Sequence, residues 1–306
     1  MNEMKIEIGG RTLDLATPAV MTILNVTPDS FFEGSRRFSA GLIEEGVRKA
    51  VEEGASMIDV GGYSSRPGAD DVSPAEEYER VARGVEAVRR VAPGMVVSVD
   101  TFRSGVARRV LEEFGPCIVN DISAGELDPQ IVPLTAQYGV PYIAMHMRAT
   151  PATMQRHTEY TDVVAAVEDF FEAKTAQLAE AGVRQVILDP GFGFAKTTAQ
   201  NYLLLGALRR FARFGVPVLA GISRKSMIYK VLGTTPACSL AGSVALGWEC
   251  LRQGAAILRV HDCARPSIRC GFSECTNDRF RYDTTYRHTQ TLRRAGGAQG
   301  RLARGP

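Results

Sequence analysis

At 306 residues, 45% of them hydrophobic and 23% charged, the chain has the composition of an ordinary globular protein with apolar material for a full core. Lys and Arg number 36 against 34 Asp and Glu, and the net charge of +2 leaves no basic footprint for nucleic acid. The N-terminal stretch MNEMKIEIGGRTLDL lacks an apolar signal region, and no stretch reaches membrane-spanning length, so no membrane role is expected.

Residues 4–15 alternate apolar and polar around Gly9–Gly10, which predicts a short β-hairpin able to plug one end of a barrel. Eight apolar runs follow: VMTILN, SMIDVGG, MVVSVDT, CIVND, YIAMHM, QVILDPG, VPVLAGISRK and AAILRVHD. Each ends in polar or charged residues: Asn25, Asp59, Asp100, Asn120–Asp121, His146, Asp189, Arg224–Lys225 and Arg259–His261. Short continuous apolar runs bounded by turn signals suit strands buried on both faces, as in a parallel sheet.

Helical patterns fill the intervals. Residues 40–54 place apolar side chains at 42, 43, 47, 50 and 51, and Ser73-Pro74 with Glu76 opens a helix over 74–91. Similar spacing predicts helices over about 103–114, 128–138, 160–181, 197–213 and 237–253. Seven strand–helix units and an eighth strand are complete by residue 262. The prediction is an α/β fold, a (β/α)8 TIM barrel over residues 1–262. Its active site would gather at the C-terminal ends of the strands, where the polar run ends fall.

The pattern does not close with an eighth helix. Residues 263–306 hold nine Arg, no Lys and three acids, net +6, which leaves −4 for the body. With no 3.6-residue period and much Arg, Thr, Gly and Cys, this segment reads as an atypical basic tail of linker-like composition in place of the last helix. Residues 264–280 are expected either to form a makeshift eighth helix or to leave a gap that a dimer partner covers. The six cysteines (117, 238, 250, 263, 270 and 275) form no C-x-x-C pair, so reduced cysteines in a cytoplasmic protein are expected.

Asp100, Asn120 and Asp189 would point into one pocket from three strands. Two carboxylates and an amide suit a flat heterocycle with adjacent N–H donors; the bland alternative is that each acid caps a helix. Arg66, Arg224, Lys225, Arg259 and His261 form a cationic set suited to a phosphate or diphosphate leaving group, against the alternative of local ion pairs. The loop NVTPDSFFEGSRRF (25–38) is long enough for a lid, and Asn25 offers a neutral oxygen compatible with Mg²⁺. GFGFAKT (191–197) lacks the spacing of a phosphate loop, and His146 and His157 are too scattered for zinc.

Together ILNVTPDSF, DVGGYSSRPGA, VDT, VNDIS, HMRATPATMQ, LDPGFGFAKT, GISRKS and RVHD resemble the dihydropteroate synthase family of the folate pathway, over about residues 18–262. The resemblance implies a pterin-binding (β/α)8 barrel, a homodimer, and a transferase that joins 6-hydroxymethyl-7,8-dihydropterin diphosphate to 4-aminobenzoate with Mg²⁺. Sulfonamides imitate the aminobenzoate. Carried over motif by motif, Asp100, Asn120, Asp189 and Lys225 hold the pterin, and Asn25 with its Mg²⁺, Arg66, Arg259 and His261 hold the diphosphate. Ser65, Arg66, Pro67, Lys225 and Ser226 border the aminobenzoate, and Asp29 and Phe31 belong to the lid. Asp100, Lys225, Arg259 and His261 are the catalytic group on this reading.

The family's Gly-Glu-Ser-Thr-Arg-Pro reads here Gly62-Tyr63-Ser64-Ser65-Arg66-Pro67, and its Ser-Phe-Ser-Asp-Gly-Gly reads Ser30-Phe31-Phe32-Glu33-Gly34-Ser35. The loss of a methyl at Ser65 is expected to loosen aminobenzoate contacts slightly. Two alternatives are a methyltransferase with a pterin-binding barrel, against which the cationic groups argue, and a non-catalytic pterin-binding remnant compromised by the tail.

Overall fold

The computed structural model describes residues 4–27, 36–63 and 72–263. Strands β1 (Lys5–Ile8) and β2 (Arg11–Asp14) form the expected antiparallel hairpin. The first half of the barrel runs β3 (Ala19–Asn25), α1 (Arg36–Glu52), β4 (Met57–Gly61), α2 (Pro74–Val91), β5 (Val96–Asp100), α3 (Ser104–Phe114), β6 (Ile118–Asp121) and α4 (Ile131–Tyr138). The second runs β7 (Tyr142–Met145), α5 (Val163–Glu180), β8 (Val186–Asp189), α6 (Thr198–Gly206), β9 (Leu219–Ala220), α7 (Ser226–Tyr229), α8 (Leu240–Arg252) and β10 (Ile257–Val260).

Strands β3 to β10 pair in parallel, in the order β8-β7-β6-β5-β4-β3-β10-β9. The two ends meet where Leu188 bridges Val218 and its N–H donates to the Pro217 carbonyl at 2.9 Å, so the sheet curls into the predicted barrel. The sequence runs explain this directly. Val20, Leu24, Ile58, Val60, Val97, Val99 and Leu258 face outward into one continuous cluster with the helices. Met21, Met57, Ile118, Ile143, Ile187, Leu219 and Ile257 face inward, and Ile6, Ile8 and Leu15 of the hairpin segment close the barrel's N-terminal end. Both faces are buried, which is why the runs are continuous rather than alternating.

Helix α2 starts as read: the Ser73 side chain accepts from the Glu76 N–H at 3.2 Å, Pro74 occupies the first turn, and Arg89 and Arg90 lie in the last. The span predicted as one helix over 197–213 divides. α6 opens with a capping box between Thr197 and Gln200, then tightens at Ala207, whose N–H reaches three preceding carbonyls, into a 3-10 run at Leu208–Phe214. The one-turn helix α7 has no forewarning in the periodicity, being too short to show one.

No described helix is long and apolar enough to cross a membrane. The tail from residue 264, with its makeshift-helix expectation, lies outside the described residues, as do Asp29, Phe31, Ser65, Arg66 and Pro67. At the last described position, the Cys263 thiol lies 3.1 Å from Oε2 of Glu53, the residue just after α1.

Candidate active site

The inward residues change character along each strand. On β4, β6, β8 and β10 the apolar Met57, Ile118, Ile187 and Ile257 give way, two positions on, to Asp59, Asn120, Asp189 and Arg259. Residues two apart on a strand share a face, so the barrel interior is oily at its base and charged at its mouth. Asn25, Asp100 and Gly221 complete the mouth from the intervening strand ends.

Asp59 is the hub of this layer. It is fully buried, and its Oδ2 accepts from Asn120 Nδ2 at 3.0 Å and from Arg259 Nε at 2.6 Å. Arg259 Nη2 in turn donates to Asp100 Oδ2 at 2.6 Å. Burial works against the guanidinium charge, but Asp59 and Asp100 outweigh it and keep Arg259 protonated. Burial pushes the Asp100 carboxyl up to about 7, with Arg259 pulling it back and Asp59 adding to the rise.

Two glycines keep the floor open. A Cβ on Gly61 would lie 3.3 Å from Asn25 Oδ1 and 3.7 Å from Asp100 Cβ; one on Gly221 would lie 3.8 Å from Arg259 Cβ and 3.9 Å from Asp189 Oδ2. Asn25, Asp100, Asp189 and Arg259 therefore surround a space that a side chain at either glycine would invade.

On the β8 side, Asp189 Oδ1 accepts from the Gly191 N–H at 2.8 Å. Burial raises its pKa, countered by Lys225 and then by the backbone bond. Lys225 enters from the β9–α7 turn, donates to the Phe192 carbonyl, and holds its ammonium 4.5 Å from the centre of the Phe194 ring. Burial lowers its pKa to about 8, with Asp189 opposing that fall. Met145, Met147, Met154, Ile122 and Ala195, with Phe102 and Phe194 packed against them, form a separate apolar cluster beside the mouth. A flat ring could lie against this wall while its N–H groups meet the carboxylates.

The cationic set separates. Arg259 lies in the polar layer, and Ser223 Oγ accepts from the His261 N–H at 3.3 Å and lies 3.2 Å from His261 Nδ1. Arg224 departs from the expected anion site: its Nε and Nη2 each donate to Asp262 at 2.8 Å, and its own N–H donates to Ser243 Oγ. A guanidinium in a two-pronged bond to a carboxylate is a fastener between the β9 and β10 ends, so the local ion-pair alternative holds for this residue. Ser226 begins α7 beside Lys225.

Asp121 serves its own loop instead of the mouth. Its carboxylate takes the Ser123 hydroxyl and N–H at 2.7 Å, the Gly125 N–H at 2.7 Å and the Tyr142 hydroxyl at 2.6 Å, which shapes the turn after β6 and leaves Asn120 to the mouth.

Four features had no role in the sequence reading. Asp59 was visible only as one more polar strand end. Glu77, fully buried on α2, accepts from Thr101 Oγ1 at 2.5 Å and Arg103 Nη1 at 2.7 Å, fixing the turn after β5 just beyond Asp100. Tyr63 stands where the family carries Glu; it meets Phe102 edge-on at 5.3 Å, with Arg103 5.4 Å from its ring centre.

The fourth is Lys196, in the segment GFGFAKT. Its ammonium is buried and lies 2.9 Å from His146 Nδ1 and 3.0 Å from the carbonyls of both Gly191 and Phe194. Burial lowers the Lys196 pKa to about 7 and, with the Lys196 and Arg148 charges, that of His146 to about 2. His146 and Lys196 thus fasten the loop after β8 to the end of β7. Among the described residues no cluster of three His, Cys, Asp or Glu side chains could hold a metal.

The chain matches the pterin binding enzyme family over residues 21–261. It is 42% identical to dihydropteroate synthase of Escherichia coli K12 over 261 residues, 85% of this chain and 92% of that one. Among solved structures it superposes on Xanthomonas albilineans dihydropteroate synthase with 4-aminobenzoic acid at a TM-score of 0.83 and 36% identity, covering 90% of this chain and 99% of the other. The Yersinia pestis dihydropteroate synthase in complex with a sulfonamide drug gives 0.83 and 37%, covering 90% and 100%.

Proposed function

The chain belongs to the pterin binding enzyme family, and from that premise we propose that it is a dihydropteroate synthase, a transferase that joins 6-hydroxymethyl-7,8-dihydropterin diphosphate to 4-aminobenzoate with release of diphosphate. The observation that carries the reading is the convergence of Asp100, Asn120, Asp189 and Arg259 from four strands on one open mouth. Asp100, Asn120, Asp189 and Lys225 hold the pterin. Their acceptors match its N–H edge, and the Lys225 ammonium serves its carbonyl.

The reaction replaces a C–O bond to diphosphate by a C–N bond to the arylamine. As the C–O bond lengthens, positive charge spreads from the methylene into the ring, where ionised Asp100 stabilises it. Arg259 and His261, from the end of β10, receive the negative charge of the departing diphosphate. The amine attacks the methylene and its surplus proton leaves to water or the released diphosphate. The apolar wall with Phe194 and Met145 limits access of water, which otherwise competes for the cation.

The residues fit Mg²⁺ in one specific sense. Asn25 presents a neutral amide oxygen beside the Asp100 carboxylate, above the bare Cα of Gly61. One or two hard oxygens suffice for an ion that takes most of its remaining coordination from substrate phosphates and water. When bound, Mg²⁺ would neutralise charge on the leaving diphosphate. Arg66, Ser65, Pro67 and Ser226 complete the diphosphate and aminobenzoate sides of this proposal, and Asp29 and Phe31 its lid.

The reading extends to a cytoplasmic homodimer that sulfonamides inhibit in competition with 4-aminobenzoate. Leu203 on α6 and Val231 and Leu232 after α7 are 63%, 58% and 57% exposed, and this apolar surface supports the dimer. Light scattering after gel filtration measures the mass directly, and Leu203→Asp is expected to shift it toward the monomer. The deciding assay mixes the two substrates with Mg²⁺ and follows diphosphate and dihydropteroate together. Release in step with product supports the synthase. Tight pterin binding with neither product would mean a non-catalytic binding protein.

A further inference from the structure

Asp59 is a fully buried carboxylate on the barrel axis side of β4, and its hydrogen bonds are few and specific. One oxygen, Oδ2, accepts from both Asn120 and Arg259; the other, Oδ1, bonds nothing among the described residues. It caps no helix and closes no turn, unlike Asp121, which ties four groups of its own loop and the next strand. A charge buried for stability alone would be a poor choice, since apolar residues of the same volume commonly do as well.

The chemistry of the contact fixes something that the fold by itself leaves open. The side-chain amide of Asn120 has two orientations of nearly equal shape, one presenting oxygen and the other NH2 to a given direction. A carboxylate accepts and does not donate, so the group facing Asp59 Oδ2 is Nδ2. The Asn120 oxygen is thereby turned away from Asp59 and left without a protein partner among the described residues. Arg259 Nε on the same Asp59 oxygen holds the carboxylate in place from the other side.

We propose that Asp59 is a positioning residue that sets the hydrogen-bond polarity of the pterin pocket, by locking the Asn120 amide with its oxygen toward the ligand. This rests on the synthase reading for the identity of the ligand. Without the lock the amide is free to turn its NH2 toward the open mouth, and binding must then turn it back at the cost of about one buried hydrogen bond.

The test measures calorimetric binding of 6-hydroxymethyl-7,8-dihydropterin, which lacks the diphosphate and so bypasses the anion-binding role of Arg259. Asp59→Leu keeps the branching of the side chain and removes the acceptor. It is expected to weaken binding about tenfold, the scale of one hydrogen bond lost in a buried site. Asp59→Asn still offers an oxygen at the same place and is expected to bind within about threefold of the parent. In an Asn120→Ala background the Asp59→Leu change is expected to cost little more. Equal losses from Asp59→Leu with and without Asn120, or equal losses from Asp59→Leu and Asp59→Asn, would overturn the proposal.

Should Asp59→Leu fail to fold, the unaltered protein still decides. With ¹⁵N-labelled asparagine, one Asn120 amide proton is expected to exchange slowly and lie downfield, bonded to the carboxylate. Two Asn120 amide protons that both exchange rapidly, with neither shifted downfield, would refute the lock. Failure of the parent protein to release diphosphate would instead sink the synthase reading while leaving the amide measurement intact.

Discussion

Replacing Lys196 with Met removes a buried ammonium while keeping an unbranched chain of similar length. Of the ammonium's four acceptors, the Gly191 carbonyl keeps the Phe194 N–H at 3.1 Å, and three lose their donor among the described residues: His146 Nδ1 at 2.9 Å, the Phe194 carbonyl at 3.0 Å and the His146 carbonyl at 3.4 Å. Stranding each costs about 1–3 kcal/mol, so the gross loss is roughly 3–9 kcal/mol. Against this stands the relief of no longer burying a charge, which offsets several kcal/mol and leaves a net loss of about 2–4 kcal/mol. For a domain of this size that lowers the melting temperature by roughly 5–15 °C.

The pH dependence supplies a second handle. Burial lowers the Lys196 pKa from 10.5 to about 7, so above that value the folded protein releases a proton that the unfolded chain keeps. The unfolded state then binds more protons, and the parent gains stability as pH rises from about 7 toward 10.5. Lys196→Met lacks this gain, so the gap between the two proteins should widen over the same range. Calorimetric melts at pH 7 and 9 measure both effects. A difference below about 2 °C at pH 7, or one that narrows at pH 9, would refute the role assigned to Lys196.

Four other expectations follow from the same geometry. With burial holding the Asp100 pKa at about 7, kcat/KM for the pterin diphosphate should fall as pH drops below that value, and the residual activity of Asp100→Asn should lose this limb. Glu77→Ala strips Arg103 of its buried partner and is expected to cost about 3–5 kcal/mol in urea melts, whereas a change within about 0.5 kcal/mol would mark Glu77 as dispensable. Gly191 has φ +69°, and a Cβ there would overlap the His146 carbonyl, so Gly191→Ala should displace the loop behind Asp189 and raise the KM for the pterin substrate more than that for 4-aminobenzoate. Chelation should abolish turnover, with recovery on adding Mg²⁺; full activity in excess chelator would remove Asn25 from the proposed ion site.

Much of this molecule is legible in its sequence because the relevant signals are local. The eight runs, their turns and the capped start of α2 are set by neighbours within a few residues, and the residue types at the run ends name the chemistry of the mouth. The same locality explains why α7, a single turn, left no trace, and why the helix predicted over 197–213 did not show its break into a 3-10 segment.

Partnership is another matter. Arg224 and Arg259 both follow an apolar run and read alike as cations for an anion. In the fold Arg224 closes onto Asp262, 38 positions away, whereas Arg259 reaches Asp100 and Asp59, 159 and 200 positions away. Asp59 and Asp121 likewise look interchangeable as strand-end acids, yet one bridges two residues of the mouth and the other shapes its own turn. Apolar periodicity fixes which face of a strand is inward, a property each strand carries by itself. Which charge meets which is decided only when the barrel closes, because an ion pair needs two side chains within a few ångströms and nothing local to either one sets that distance.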